Sequence, residues 1–276
     1  MNKYGIDISA HQGDFPVEKL KKYGFVMIRT GYGWASQKLQ TDKQVYNNVK
    51  KCVENNIPFG FYHYSYAKKP SEALQEAKFC IKIVKRCEKL YDVKPRFPIA
   101  FDIEDKSILE ASKKDLTECC VAFCDYVEKN GYYASIYSYR SFFLNNLDMD
   151  ELIRFDKWVA DWTTTSDENL QNLIPCGMRQ YQVDRSQHLD KDVCFKDYPT
   201  IITKMYDQDY QEKISSMTNF KVGNKVKVTK NETYDGKVFK IWYDTYEVME
   251  VKKDRIVIGV NGVVTCAINK KHLRRV

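Results

Sequence analysis

The sequence has little of what would assign it to many classes outright. Its longest apolar runs, such as 98–101 and 257–260, fall far short of the roughly 18 residues of a membrane span, so no bilayer crossing is expected. Glycine (12) and proline (7) are too scarce in 276 residues for a collagen-like or low-complexity chain. Only four histidines occur, His11, His63, His188 and His272, with no His-Glu-x-x-His pattern. A zinc site is therefore not expected, and His11, four residues after Asp7, reads as a structural histidine near a cleft rather than half of a deacetylase-like metal pair. No other cofactor is called for, since Gly31-Tyr32-Gly33 is too short to cradle a phosphate. No nucleophile elbow or Cys-His signature is present. The nine cysteines are odd in number and lack any Cys-x-x-Cys; Cys80, Cys87, Cys120 and Cys124 recur at helical spacing and read as reduced core thiols. The first residues, Met1-Asn2-Lys3-Tyr4-Gly5-Ile6-Asp7, place an aspartate where a secretory signal needs an apolar stretch, so synthesis in the cytoplasm without a signal peptide is expected. Asn231-Glu232-Thr233 is then a chance match to the glycosylation pattern.

What is present describes a folded protein. A hydrophobic content of 43% supports a sizeable core, and 29% charged residues of mixed sign exclude disorder. The formal charge of +7 is expected to come mostly from lysines on helix faces. By charge alone it suits a polyanionic partner, whether nucleic acid, a membrane surface or an anionic cell wall, or simply a well-solvated surface. Nucleic acid is not expected, because the first 200 residues hold no dense basic block interleaved with aromatics.

Up to about residue 200, short apolar runs alternate with amphipathic segments, the pattern of parallel strands joined by helices. Eight strands are expected: 4–8, 25–29, 59–64, 98–103, 133–137, 157–160, 178–182 and 192–195. Helices are expected over 42–55, 71–91 and 113–130, the last from Leu116, Cys120, Phe123, Cys124 and Val127 at helical spacing. Later connections are too short for a full helix after every strand, so the fold is read as an irregular β/α barrel over residues 1–205. Residues 206–217 turn polar and are expected to form a linker, or a final helix leading into one. Beyond it, 221–229, 238–243, 246–251, 254–260 and 263–268 alternate as strands, with a hairpin turn at Asn261-Gly262. Residues 218–276 are thus expected to form a small all-β domain of SH3-like size. Its Tyr234, Trp242, Tyr243 and Tyr246 could line a binding groove or fill the core, and each is read as a core residue.

The most informative segment is Pro98-Ile99-Ala100-Phe101-Asp102-Ile103-Glu104-Asp105. A buried parallel strand should be apolar throughout, yet Asp102 and Glu104 appear at its C-terminal end on one face. That end of a β/α barrel carries the active site. Neighbouring carboxyls raise one another's pKa, so that one can stay protonated as a general acid, as glycosidic cleavage requires. Other strand ends supply Asp7, Tyr62-His63-Tyr64-Ser65-Tyr66, Tyr137, Asp161-Trp162 and Gln180-Tyr181. An acidic floor beneath an aromatic wall suits a polysaccharide, whose rings stack on aromatics and whose hydroxyls bond carboxylates and amides. Tyr62, Tyr64, Tyr137, Asp161, Trp162, Gln180 and Tyr181 are therefore the expected substrate-binding residues.

Tyr4-Gly5-Ile6-Asp7-Ile8-Ser9 with His11-Gln12-Gly13, then Gly60-Phe61-Tyr62-His63-Tyr64, Phe101-Asp102-Ile103-Glu104, Ile136-Tyr137-Ser138, Trp158-Val159-Ala160-Asp161-Trp162, Gln180-Tyr181 and Leu189-Asp190-Lys191-Asp192 resemble the ordered motifs of glycoside hydrolase family 25. These are the N-acetylmuramidases of phage endolysins and bacterial autolysins. The resemblance covers about residues 2–200. It implies a lysozyme that hydrolyses the β-1,4 bond between N-acetylmuramic acid and N-acetylglucosamine in peptidoglycan, with Glu104 as general acid. Asp102 matches the carboxylate that orients the 2-acetamido group, and Asp7 and Asp190 match the remaining cleft acids. Two departures stand out: Arg179 replaces the tryptophan that many members have before Gln-Tyr, and the last motif leaves open whether Asp190 or Asp192 is the cleft acid. The C-terminal segments Val222-Gly223-Asn224-Lys225-Val226-Lys227-Val228 and Asp254-Arg255-Ile256-Val257-Ile258-Gly259 resemble SH3-like wall-binding modules. The expected partner is bacterial peptidoglycan. The expected context is a phage endolysin, with an autolysin of the same activity or a non-catalytic wall-binding protein as alternatives. A chitinase is disfavoured because the Asp-x-x-Asp-x-Asp-x-Glu run is absent before Glu104. The oligomeric state is left open, a homodimer included.

Overall fold

The computed structural model describes residues 3–186, 189–218 and 220–276, so that His188 lies outside the described residues. The chain forms two compact units, Met1–Lys204 and Met205–Val276. In the first, eight strands close a barrel in sequence order: β1 Lys3–Ile8, β2 Phe25–Tyr32, β3 Phe59–Tyr64, β4 Ile99–Asp102, β5 Ala134–Tyr139, β6 Asp156–Ala160, β7 Met178–Asp184 and β8 Leu189–Cys194. Strands β1 to β7 run parallel to their neighbours. The last does not, contrary to the all-parallel expectation: β8 is antiparallel to both β7 and β1. The cause is the connection, since residues 185–188 are far fewer than the dozen or so that a parallel crossover needs.

Among the described residues there are eight α-helices: α1 Val17–Leu20, α2 Gln37–Gln40, α3 Val45–Glu54, α4 Pro70–Tyr91, α5 Lys113–Lys129, α6 Arg140–Asn146, α7 Asp167–Leu173 and α8 Tyr198–Thr218. The longer ones start and stop where local chemistry dictates. Pro70 opens α4 and Glu72 accepts the Lys68 N–H at 2.8 Å, satisfying an otherwise orphaned donor. Ser112 caps α5 by accepting the Asp115 N–H at 3.1 Å, and Gly131, at φ +80°, follows its end. Both bury one face, through Ala73, Ala77, Cys80 and Val84 in α4 and Leu116, Cys120, Phe123 and Val127 in α5. These pack over the outward residues of the strands, as where the Phe101 and Phe123 rings stack at 4.5 Å. Eight cysteines are buried and Cys266 is partly buried, all unpaired.

Inside the barrel the alternation of side chains builds two levels. The lower is apolar: Phe25 and Phe97 stack at 4.5 Å, and Tyr198 from α8 closes against Phe97. Gly5 is required there, because a Cβ would stand 2.6 Å from the Phe25 ring. The upper level, at the C-terminal strand ends, is polar and open. Among the described residues no helix is long and apolar enough to cross a membrane.

Residues 206–217 are helical and continue α8, which is the final-helix alternative; from Thr200 to Lys221 there is neither glycine nor proline, so nothing interrupts the helix. The second unit is an antiparallel sheet of five strands in the order β12-β11-β10-β9-β13, where β9 is Lys225–Val228, β10 Tyr246–Lys252, β11 Arg255–Val260, β12 Val263–Asn269 and β13 Leu273–Arg275. The β11–β12 turn has Asn261 and Gly262 both at positive φ, 49° and 77°, as a tight two-residue hairpin demands. The expected strand over 238–243 is absent; apart from one bridge at Val238 the segment is irregular and exposed. Of the four aromatics read as core, only Tyr246 is buried, packing with Phe220, Val248 and Ile258. Tyr234, Trp242 and Tyr243 are 49%, 67% and 53% exposed. The charge also lies elsewhere than expected. Residues 218–276 hold 13 Lys and Arg against 6 Asp and Glu, a net of +7, while residues 1–217 are balanced at 31 of each.

Candidate active site

The polar end of the barrel holds a cavity of about 200 Å³ lined by Asp7, Arg29, Tyr62, Tyr64, Asp102, Glu104, Tyr137, Trp158, Gln180 and Asp190. Most come from inward-facing positions toward the C-terminal ends of the parallel strands; Glu104 lies just past the end of β4, and Asp190 comes from the N-terminal end of the antiparallel β8, which reaches the same mouth. Outward neighbours serve packing instead. His63, between Tyr62 and Tyr64, is fully buried under the helices and bonds Thr30 Oγ1 and the Gly33 carbonyl at 2.9 Å each. Burial holds its pKa down at about 4, so it is neutral at ordinary pH.

Gln180 is the hub of the cavity. Its Nε2 donates to Asp7 Oδ2 at 2.9 Å, while its Oε1 accepts from the Tyr137 hydroxyl and from Trp162 Nε1, both at 3.1 Å. These bonds fix the amide orientation and hold Asp7 in place. Asp102 is almost wholly buried, and its Oδ1 has no hydrogen-bond partner among the described residues. An unpartnered buried acceptor is costly, which marks Asp102 as waiting for a donor.

The carboxyls here hold their protons far more tightly than exposed ones. Burial, reinforced by the charge of Glu104 and then Asp7, drives Asp102 well above the carboxylate range, and Arg29 partly opposes this. Asp7 is driven up by burial and by Asp190, against the bond from Gln180. Glu104 rises to about 7, from burial first, then from Asp190 and Asp105. The expected cause was Asp102; the structure puts Asp190 in that role. A half-buried carboxyl that is still partly protonated near neutrality is suited to general acid catalysis.

The sequence profile of glycosyl hydrolases family 25 matches residues 6–190, two thirds of the chain. The chain belongs to this family. Solved structures agree on the fold. The autolysin LytC from Streptococcus pneumoniae, solved with a synthetic peptidoglycan ligand, shares 25% identity over 70% of this chain, with a TM-score of 0.59. Only 47% of that protein is covered. The catalytic domain of the endolysin ply40, from bacteriophage P40 of Listeria monocytogenes, is 22% identical over 73% of this chain and 97% of its own, with a TM-score of 0.57. The spore cortex lytic enzyme SleM from Clostridium perfringens is 15% identical over 98% of this chain and 87% of its own, with a TM-score of 0.58. No match was found among curated protein sequences.

Within this family 25 barrel, Asp7, Asp102, Glu104 and Asp190 come together in one cavity, with Tyr62, Tyr64, Tyr137 and Gln180 around them. Asp192 lies deeper: it is fully buried and accepts the Trp158 Nε1–H at 2.9 Å, whereas Asp190 reaches the cavity. Trp162, 60% exposed, stands on the rim of a neighbouring lobe of about 450 Å³ that also touches Glu104 and Tyr139. Asp161 lines that lobe but is committed internally, accepting from Arg140 Nη1 at 3.0 Å and Thr163 Oγ1 at 2.8 Å. It secures the loop that presents Trp162. Tyr181 is not in the cavity; it packs edge-on against Tyr4 outside the barrel, beside Arg179. A bulge shifts the register with β8 between Gln180 and Gln182. Arg179, standing where many members carry tryptophan, is itself buried and bridges the Asp161, Thr163 and Thr165 carbonyls and Asp167, tying down the same loop. Arg29 and Trp158 were missed as site residues. Arg29 carried the same signal as Asp102, an ionisable group near the end of an otherwise apolar strand.

Proposed function

We propose that this chain is a lysozyme, an N-acetylmuramidase that hydrolyses the β-1,4 bond between N-acetylmuramic acid and N-acetylglucosamine in peptidoglycan. The observation that carries the reading is the pairing, in one cavity, of Glu104, with its pKa near 7, and Asp102, with its unpartnered buried oxygen. Glu104 protonates the glycosidic oxygen as the bond to the anomeric carbon breaks. Asp102 accepts the N–H of the 2-acetamido group and turns its carbonyl oxygen toward that carbon. Water then displaces the acetamido oxygen, giving its proton back to Glu104. Asp7, held by Gln180, and Asp190 lie alongside and favour the positive charge that develops on the sugar. The phage endolysin context is supported by similarity to ply40, and similarity to the autolysin LytC is comparable. Both contexts use the same reaction.

Residues 218–276 supply wall attachment in this reading. Their net charge of +7 suits an anionic polymer, and Tyr234, Trp242 and Tyr243 offer exposed aromatic faces, with Lys240 Nζ 4.1 Å from the centre of the Trp242 ring. Mass spectrometry of digested peptidoglycan tests the reaction. New reducing ends at N-acetylmuramic acid are expected. New ends at N-acetylglucosamine, or freed amino groups, overturn the proposal.

A further inference from the structure

Beside the acid cavity, on the side opposite Trp162, lies a larger lobe of about 650 Å³ that shares His11, Arg29 and Tyr64 with it. Its charge is reversed. The carboxylate in its lining, Asp42, has a fully buried side chain that accepts from Arg29 Nε at 2.8 Å, the Ala10 N–H at 2.9 Å and the Gln44 N–H at 2.8 Å. Asp42 therefore turns inward, as an anchor for the loops around it. The guanidinium of Arg29 and the exposed Lys43 remain as the charges facing this space. Arg29 is paired with Asp42 through Nε, and among the described residues its terminal N–H groups make no further hydrogen bond, so they remain free as donors while Lys43 carries the unbalanced charge. Lys43 is exposed and lines the lobe. Tyr64 and Tyr32 each contact Tyr66 edge-on, at 5.3 and 6.3 Å, and form an apolar wall. The lobe on the Glu104 side has no lysine in its lining; its arginine, Arg140, is paired with Asp161 through a terminal nitrogen, and it offers the exposed indole of Trp162, on which a sugar ring can stack.

We propose that the lobe formed by Arg29, Lys43, Tyr32, Tyr64 and Tyr66 binds the acidic stem peptide borne by the lactyl group of muramic acid, rather than a further sugar. The inference rests on the muramidase reading, which brings that substituent to the cavity next door. A bidentate donor and an ammonium beside an aromatic wall match a short peptide with free carboxylates and small aliphatic side chains. A neutral sugar gives the ammonium of Lys43 and the free terminal donors of Arg29 no charge to pair with.

The test compares the full-length wild type with Lys43→Ala and Lys43→Glu. Lys43 is exposed, so both variants are expected to fold. The substrates are soluble glycan strands carrying their peptides and the same strands stripped of peptide by an amidase. For the wild type, KM is expected to be lower on peptide-bearing strands. The ratio of the two KM values should shrink about two- to five-fold in Lys43→Ala and further in Lys43→Glu, as loss of one partly screened charge pair implies. Added salt should shrink it in the wild type as well. Calorimetric binding of N-acetylmuramyl-L-alanyl-D-glutamate needs no turnover and should weaken in the same order. Equal wild-type KM values, or variants that raise both KM values in proportion, overturn the proposal in favour of a sugar site. If neither strand is cut while the muramyl dipeptide binds and responds to Lys43, the muramidase reading fails and the peptide site stands.

Discussion

Replacing Asp190 by asparagine should move the alkaline limb of the pH profile toward acid without the group that titrates being touched. Glu104 holds its proton to about 7 instead of 4.5. At pH 7 about half the molecules then carry a protonated Glu104, against roughly 1 in 300 at the ordinary value. That displacement of about 2.5 pH, on the order of 3 kcal/mol, has burial as its largest cause, followed by Asp190 and Asp105. Removing a negative charge makes ionisation of Glu104 easier, so its pKa falls. Because burial exceeds the Asp190 contribution, the limb must move by less than half the displacement, under about 1.2 pH. Asp105→Asn should move it the same way but less, since Asp105 ranks third and is more exposed to screening solvent. The assay is kcat/KM on soluble glycan fragments from pH 5 to 9 at fixed ionic strength, which reports the free enzyme. The position of the limb is read, not the height of the profile, because Asp190 also lines the cavity and its loss can lower turnover. A limb that stays put or moves alkaline in Asp190→Asn refutes the electrostatic account. A wild type still fully active at pH 9 refutes Glu104 as the acid.

Glu104→Gln should fold normally and lose about 10² to 10⁴ in kcat, the span of a general acid, and Asp102→Asn should also cripple turnover; near-wild-type release of reducing ends from either variant contradicts its assigned role. Glu76, fully buried on α4, accepts the Tyr66 N–H at 2.8 Å, and burial raises its pKa to about 8. The folded state therefore binds a proton that the unfolded state releases near 4.5, and stability falls as pH rises from there to about 8. Glu76→Gln keeps an acceptor for Tyr66 but cannot ionise, so its Tm advantage over wild type should widen from pH 5 to pH 9; a constant gap means Glu76 does not titrate as described. A chain ending at Thr218 should keep cutting soluble fragments but sediment poorly with purified walls, and the full chain's sedimentation should weaken in high salt; equal wall binding with and without residues 219–276 eliminates the attachment role.

The strands were legible because each is a short apolar run, and the site was legible because Asp102 and Glu104 interrupt one of them at its end. Arg29 obeys the same rule, but a lone cation on an apolar strand is a weaker sign of glycosidic chemistry than paired acids and aromatics. Exposure in the second unit was not legible: Trp242 and Tyr246 are both aromatics in short apolar stretches, and only the sheet packing separates the exposed one from the buried one. Tyr181 directly follows Gln180, and consecutive residues on a strand face opposite ways; with Gln180 turned into the barrel toward Asp7, Tyr181 turns out, where it meets Tyr4.

The pair Asp190 and Asp192 marks a different limit. Two residues apart on a strand, they share a face, so no pattern argument can rank them. What ranks them is the register with β1, where Asp190 stands opposite Asp7 and Asp192 opposite Gly5. The first pairing sets two carboxyls level at the open end of the barrel, which is why Asp190 is the leading electrostatic influence on Asp7. The second puts Asp192 one level down, beside a residue without a side chain, where the Trp158 indole donates to it. Gly5 is also the residue whose missing Cβ admits the Phe25 ring below. One glycine thus lets the apolar floor rise close beneath the acids, so the same choice that closes the bottom of the barrel leaves Asp190 at the mouth, within electrostatic reach of Glu104.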